Sequence, residues 1–139
     1  MKNFEAIFND SYSRVLAAKK NDRNFFDHFY EIFINQSDEI AKKFVNTDMQ
    51  RQKDMLKTSF FHILNFFVQK TASKYIQDIA QLHHDKIKVT HEEYRIWMDS
   101  IIASVNEYDP MFSNDVEVAW RVVMAPGIEF MKYFTHQSK

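Results

Sequence analysis

The spacing of His83 relative to nearby apolar residues makes its imidazole a candidate for a chemical role. It continues a stripe of Ile76, Ile79 and Ala80 at the i, i+3, i+4 and i+7 positions of one helix face. A neutral imidazole on an apolar face needs a polar partner, because burying it unpaired costs free energy. The iron of a porphyrin would be one such partner and a backbone carbonyl would be another. His84 follows about 100° further round the helix and is expected to face solvent or the edge of the site.

Two further polar side chains are candidates for an interior site. Tyr30 lies between Phe29 and Phe33 in helical phase, so its ring is expected to be buried and its hydroxyl must find a hydrogen-bond partner. A backbone carbonyl would be the ordinary partner. Gln52 and Leu56 are one helical turn apart, so Gln52 either faces inward beside Leu56 or lies in solvent.

The composition excludes several classes of protein. The 139 residues contain no cysteine, which excludes a disulfide scaffold, an iron–sulfur cluster and a thiolate metal site. One glycine and two prolines exclude a glycine-rich phosphate loop and argue against a β-sandwich or barrel. The net charge of −1 is too small for electrostatic binding of nucleic acid. An aromatic content of 16% with almost no helix breakers favours an all-α protein with a large apolar interior.

The apolar spacing predicts about six or seven helices in a single domain over residues 1–139. In the first half, an amphipathic helix is expected over residues 3–20, and Asn21 or Asp22 is expected to cap the next helix. Residues 47–50 have the pattern of a capping box, which starts a long helix that ends near residue 70.

In the second half, a helix is predicted over residues 73–84 and a charged corner over residues 85–89. Residues 90–93 form a second capping-box pattern and start another helix. One of residues 113–115 is expected to start the last helix. Residues 126–127, a proline and a glycine, are expected to kink or split that helix.

The order of several residues along the chain is similar to that of a known family. These residues are Phe29 and Tyr30, then Phe44, residues 47–49 with Gln52 and Leu56, then Ile79, Ala80 and His83, and finally Tyr94, Trp97 and residues 119–121. The order resembles that of bacterial single-domain globins, which are related to the haem domain of flavohaemoglobins. The resemblance extends over residues 3–134. It implies an all-α globin fold around a haem pocket.

On the distal side of the haem, the resemblance implies four roles. Phe44 matches the phenylalanine that packs on the haem face at an inter-helix corner. Tyr30 matches the distal tyrosine of the second helix. Gln52 matches the distal position usually held by His or Gln, and Leu56 matches the apolar distal residue one turn further on.

On the proximal side, His83 matches the iron ligand, because the family shows Leu/Ile-Ala-x-x-His there. The tyrosine that follows is matched by Tyr94, at a haem-binding position. The family's spacing of 10 residues between the two fits His84, whereas His83 gives 11. Helix phase favours His83, and His84 stays the alternative. Residues 135–136 stand where flavohaemoglobins have a glutamate that pairs with this tyrosine, so the proximal imidazole is expected to be less electron-rich.

The resemblance implies a haem b protein that reversibly binds O2, and other diatomic gases such as CO and NO, at a pentacoordinate iron. Tyr30 and Gln52 would supply distal hydrogen bonds. One alternative is a nitric oxide dioxygenase that depends on a separate reductase, since these residues include no flavin or NAD domain. Another is a gas or redox sensor that acts through a partner. The remaining alternative is a helical interaction module without haem. No catalytic residue is predicted.

Several properties of the environment can also be predicted. The N-terminus has no apolar leader and no run of about 18 apolar residues occurs, so a cytoplasmic protein without a membrane partner is expected. A homodimer is compatible with the sequence. For the haem propionates, the candidate partners are Arg51, Lys53, Lys86 and His91.

Overall fold

Seven α-helices and one π-helical turn make up most of the computed structural model, which describes residues 2–134. The α-helices are α1 Phe4–Ala17, α2 Phe25–Ile34, α3 Asp38–Lys42, α4 Met49–Gln69, α5 Lys74–Leu82, α6 His91–Tyr108 and α7 Asn114–Lys132, and the π-helical turn His83–Ile87 follows α5. No strand occurs in this part of the chain, which confirms the predicted all-α fold. None of these helices is long and apolar enough to cross a membrane.

The start of α2 differs from the prediction. Asn24 is the capping residue: its side chain accepts the N–H of Asp27, and the Asp27 carboxylate accepts the N–H of Asn24, each at 3.0 Å. The predicted caps Asn21 and Asp22 are wrong. Both have left-handed backbone, with φ of 53° and 63°, whereas a capping residue needs extended backbone. They form the turn that follows α1, which therefore ends at Ala17 rather than at residue 20.

Two other boundaries are shifted by a residue or two. Asp48, not Thr47, caps α4, and its carboxylate accepts the N–H of Arg51 at 3.2 Å. The backbone of Thr47 belongs to the preceding turn, in which its N–H donates to the carbonyl of Phe44. At the other end, α5 stops at Leu82 instead of residue 84, because the chain widens there into the π-helical turn.

The last helix is continuous through its proline. The capping box of residues 90–93 is confirmed for α6, and Ser113 caps α7. Pro126 lies inside α7 without splitting it, so the expected split is wrong. A proline removes one backbone hydrogen bond, and the buried apolar residues of α7 on either side of it still hold the helix against its neighbours. Gly127 permits a close approach to α4, since a Cβ there would lie 3.3 Å from Ile63.

The interior divides into an aromatic core and a cavity. Around the buried indole of Trp120, the core contains Phe8, Phe25 and Phe60, with ring centroids between 4.7 and 6.0 Å from it. The indole donates to the hydroxyl of Ser11 at 2.9 Å. These contacts join α1, α2, α4 and α7 around one aromatic cluster.

A buried carboxylate ties the end of α6 to α1. Asp109 accepts hydrogen bonds from Ser11 at 2.6 Å, from Arg14 at 2.6 and 3.0 Å, and from the N–H of Met111 at 2.8 Å. Burial alone would raise the pKa of Asp109, but these donors together lower it below its ordinary value. This polar network lies next to the aromatic core, since Ser11 contacts both Asp109 and Trp120.

Candidate functional site

A largely apolar cavity lies between α2, α3, α4, α5 and α6. The space that its walls enclose, including its open mouth, is about 1210 Å³. Most of the wall is apolar, and a few polar groups converge on it, which is the usual character of a small-molecule or cofactor site. The apolar lining includes Phe33, Ile40, Phe44, Leu56, Ile63, Ile76, Ile79, Val89 and Trp97.

His83 is in the wall of this cavity, as the helix phase predicts. Its Nδ1 is 3.0 Å from the hydroxyl of Tyr94, which is itself only 6% exposed. Burial lowers the pKa of His83 to about 4, so the ring is neutral at pH 7. A neutral imidazole with one nitrogen engaged by a neighbour can offer the other nitrogen to a metal. His84 is outside the cavity, with a side chain that is 48% exposed and an Nδ1 that is 2.9 Å from Asp85.

The π-helical turn explains the spacing between His83 and Tyr94. It begins at His83, whose carbonyl accepts the N–H of Lys88 five residues later. A π-turn accommodates one more residue than an α-helical turn. The 11-residue separation is therefore compatible with a hydrogen bond between the two side chains. Lys88 ends the turn in left-handed backbone, with φ of 57°.

Elsewhere in the cavity lining, α2 and α4 bring Tyr30 and Gln52 together. The amide Nε2 of Gln52 donates to the hydroxyl of Tyr30 at 3.0 Å, so the partner of Tyr30 is this side chain and not a backbone carbonyl. Burial raises the pKa of Tyr30 to about 12, which keeps the phenol protonated. The edge of the Phe44 ring packs on Tyr30 with 5.7 Å between centroids, and Leu56 is buried in the same wall.

The hydroxyl of Tyr30 still has a proton that it can donate into the cavity. A phenol can accept hydrogen bonds and donate one. Gln52 occupies an acceptor position, and within residues 2–134 no group accepts the proton of Tyr30. The side chain thus presents an unused O–H in the cavity that His83 also lines.

A second tyrosine of the cavity was not predicted. Tyr75 donates to the carbonyl of Met55 at 3.3 Å and is 3.1 Å from Oγ of Ser59. On its other side the ring of His62 stacks on it, with 4.2 Å between centroids. Tyr75 is four residues before Ile79, on the stripe that carries His83, so its helix phase could have identified it.

An ion pair in the cavity wall was also missed. Nζ of Lys43 is 3.4 Å from Oε2 of Glu93. From the sequence, Glu93 was recognised only as part of a capping box, and nothing singled out Lys43. None of the four cations predicted as propionate partners lines the cavity. Residues 135–136, discussed above for the proximal side, lie outside the described residues.

The donor set fits a porphyrin iron rather than a bare metal ion. Residues 2–134 contain no group of three His, Cys, Asp or Glu side chains that could hold a metal. A porphyrin supplies four ligands to its own iron, so a single imidazole is enough on the protein side. The apolar walls match the faces of such a macrocycle, and the neutral imidazole and the phenol both line the cavity.

The chain is similar in structure to a solved protein. It shares 28% sequence identity with a protein of Pseudomonas aeruginosa PAO1 whose crystal structure is described as highly homologous in structure to a human haemoglobin. The TM-score is 0.84, and the match covers 94% of this chain and 96% of the other. No family model and no curated protein matches the chain. The helices and the cavity are those of the globin fold.

Proposed function

Because this chain is a globin, similar to the bacterial single-domain globins, we propose that it holds haem b between His83 and Tyr30 and binds O2 reversibly. The observation that carries the proposal is the presence of two polar groups in the lining of one apolar cavity. One is a neutral imidazole that Tyr94 holds in place, and the other is a phenol with an unused O–H.

On the proximal wall, His83 would ligate the iron through Nε2. A ferrous haem supplies an iron with one open position, at which diatomic gases bind. With Nε2 on a metal, the proton of the neutral ring would be on Nδ1, which would donate to the hydroxyl of Tyr94, 3.0 Å away. This bond fixes the tautomer and the orientation of the ring, which is the usual role of a residue behind a metal ligand.

On the distal wall, Tyr30 would stabilise a polar diatomic ligand. Its O–H would donate to the ligand, and Gln52 holds the phenol with its amide Nε2 at 3.0 Å. Each donor to a ligand that carries partial charge adds about 1–3 kcal/mol. A ligand with little charge, such as CO, gains less.

The partner of His83 supports reversible binding rather than oxidative turnover. Tyr94 is a buried phenol, and burial raises its pKa, so it is neutral. A neutral acceptor on Nδ1 draws the imidazole proton less than a carboxylate does, which leaves the ring a weaker electron donor to iron. Exclusion of water by the apolar walls works in the same direction, since it protects the ferrous state.

Visible absorption spectra of the protein reconstituted with ferric haem test the proposal. We expect stoichiometric haem uptake, a five-coordinate spectrum after reduction, and separate spectra with O2 and CO. The O2 form should return to the ferrous form when O2 is removed. Failure to take up haem would refute the proposal, and so would a six-coordinate ferrous spectrum without added gas.

A further inference from the structure

Lys43 and Glu93 form an ion pair in the wall of an otherwise largely apolar cavity. Lys43 follows α3 as its C-cap, and Glu93 is in the first turn of α6, so the pair bridges two elements. Their side chains are 26% and 10% exposed, which makes Lys43 the partner closer to solvent.

The carboxylate of Glu93 is held in place independently of Lys43. Its Oε1 accepts the N–H of Thr90 at 3.0 Å, while the N–H of Glu93 donates to the Thr90 hydroxyl at 3.0 Å. This capping box fixes Glu93 at the start of α6. Lys43 has the longer and more flexible side chain of the pair, since a lysine ammonium is at the end of a four-carbon chain.

The ammonium of Lys43 has capacity for a second anion. It can donate three hydrogen bonds, and within the described part of the chain it makes a 3.4 Å ion pair with Glu93. That distance exceeds the 2.7–2.9 Å typical of a charge-assisted hydrogen bond. A carboxylate that arrives from the cavity can therefore be bound without breaking a strong bond.

The four cations predicted from the sequence as propionate partners either contact other groups or are exposed outside the cavity. Nζ of Lys53 is 2.8 Å from Asp27. A ring nitrogen of His91, Nε2, is 3.0 Å from the carbonyl of Lys132. Arg51 and Lys86 are exposed and do not line the cavity.

We infer that Lys43 binds a carboxylate of the ligand that fills the cavity. The inference rests on the proposed function, in which that ligand is haem and the carboxylate is a propionate. Glu93 acts as a positioning residue, because it keeps the ammonium at the wall before the ligand enters. Haem without free carboxylates would lose this interaction and would keep all the apolar ones.

A comparison of haem with its dimethyl ester tests the inference directly. The ester has the same iron and ring but neither propionate charge. We expect Lys43→Met to raise the rate of haem release to a scavenging apoglobin by about tenfold and to leave release of the ester unchanged. Lys43→Arg should restore slow release of haem. Lys42→Met is the matched control, because Lys42 is the exposed neighbour that does not line the cavity.

The result that overturns the inference is an equal acceleration for haem and ester, or none for either. Should Lys43→Met not fold, salt applied to the unmodified protein provides the same test, since screening weakens ion pairs. Haem release must then rise with KCl while ester release stays constant, and a flat haem rate would refute Lys43 as the anchor. A protein that takes up neither compound would instead refute the proposed function.

Discussion

Removal of the Tyr30 hydroxyl is the most direct perturbation of the proposed ligand site. Tyr30→Phe keeps the ring that packs between Phe29 and Phe44 and removes only the oxygen. The side chain is 4% exposed, so no water from bulk solvent can readily replace the lost donor. The substitution should therefore change ligand binding with little effect on the fold.

The expected change in the O2 dissociation rate follows from the hydrogen bonds that the Tyr30 hydroxyl can make. Tyr30 has one proton to donate, and Gln52 takes only an acceptor position on its oxygen. The variant thus loses one donor to the ligand, worth about 1.4 kcal/mol or more, which corresponds to about tenfold or more in the dissociation rate. Gln52 loses its acceptor as well, but its partial exposure allows water to take that place.

Stopped-flow measurement of O2 dissociation is the appropriate assay. We expect Tyr30→Phe to release O2 about tenfold faster or more, with a smaller change for CO. Tyr75→Phe is the matched control, because it is the same substitution in the same cavity and its proton is already donated to Met55. An unchanged O2 dissociation rate in Tyr30→Phe, or an equal effect in Tyr75→Phe, would refute the reasoning.

Three further predictions concern the remaining parts of the structure. Spectra of His83→Ala should show loss of most haem or of the five-coordinate ferrous form, whereas His84→Ala should retain both; the reverse outcome would identify His84 as the ligand. In O2 dissociation measurements, Gln52→Leu should act in the same direction as Tyr30→Phe but less strongly, and additive effects in the double variant would contradict a shared network. In denaturant unfolding at pH 7, Asp109→Asn should lower the free energy of unfolding by about 3 kcal/mol. Because the pKa of Asp109 is lowered in the folded protein, this loss should shrink below about pH 4 as the carboxyl protonates. A loss that does not depend on pH would contradict the paired charge.

Local patterns predict much of this fold because its helices carry their own signals. The stripe through Ile76, Ile79 and Ala80 predicts the buried face of α5, and residues 90–93 predict the start of α6. The cap of α2 illustrates the limit. Asn24 follows two equally plausible capping residues, and the turn that makes Asn21 unsuitable is closed by hydrogen bonds of 2.9 Å between Lys20 and Arg23.

Some polar groups of the cavity can be predicted from the sequence in this way, and others cannot. Helix phase alone predicts Tyr30 as an interior residue, because its neighbours at i−1 and i+3 are phenylalanines. It cannot predict Lys43, because a lysine at the end of a five-residue helix has the pattern of an ordinary surface residue. Only the tertiary fold brings Lys43, which follows α3, within 3.4 Å of Glu93 in the first turn of α6.

The spacing and periodicity arguments for His83 and His84 disagree because of the π-helical turn that follows α5. Counting residues from Tyr94 assumes that the corner has as many residues as in the family that the sequence resembles. The π-helical turn His83–Ile87 breaks this assumption, because it accommodates an additional residue after the histidine. The phase of α5 up to Leu82 is unaffected, so His83 keeps the cavity-facing position that Ile76, Ile79 and Ala80 predict. The phase argument remains valid because it uses residues before the irregular turn, whereas the spacing argument counts across it.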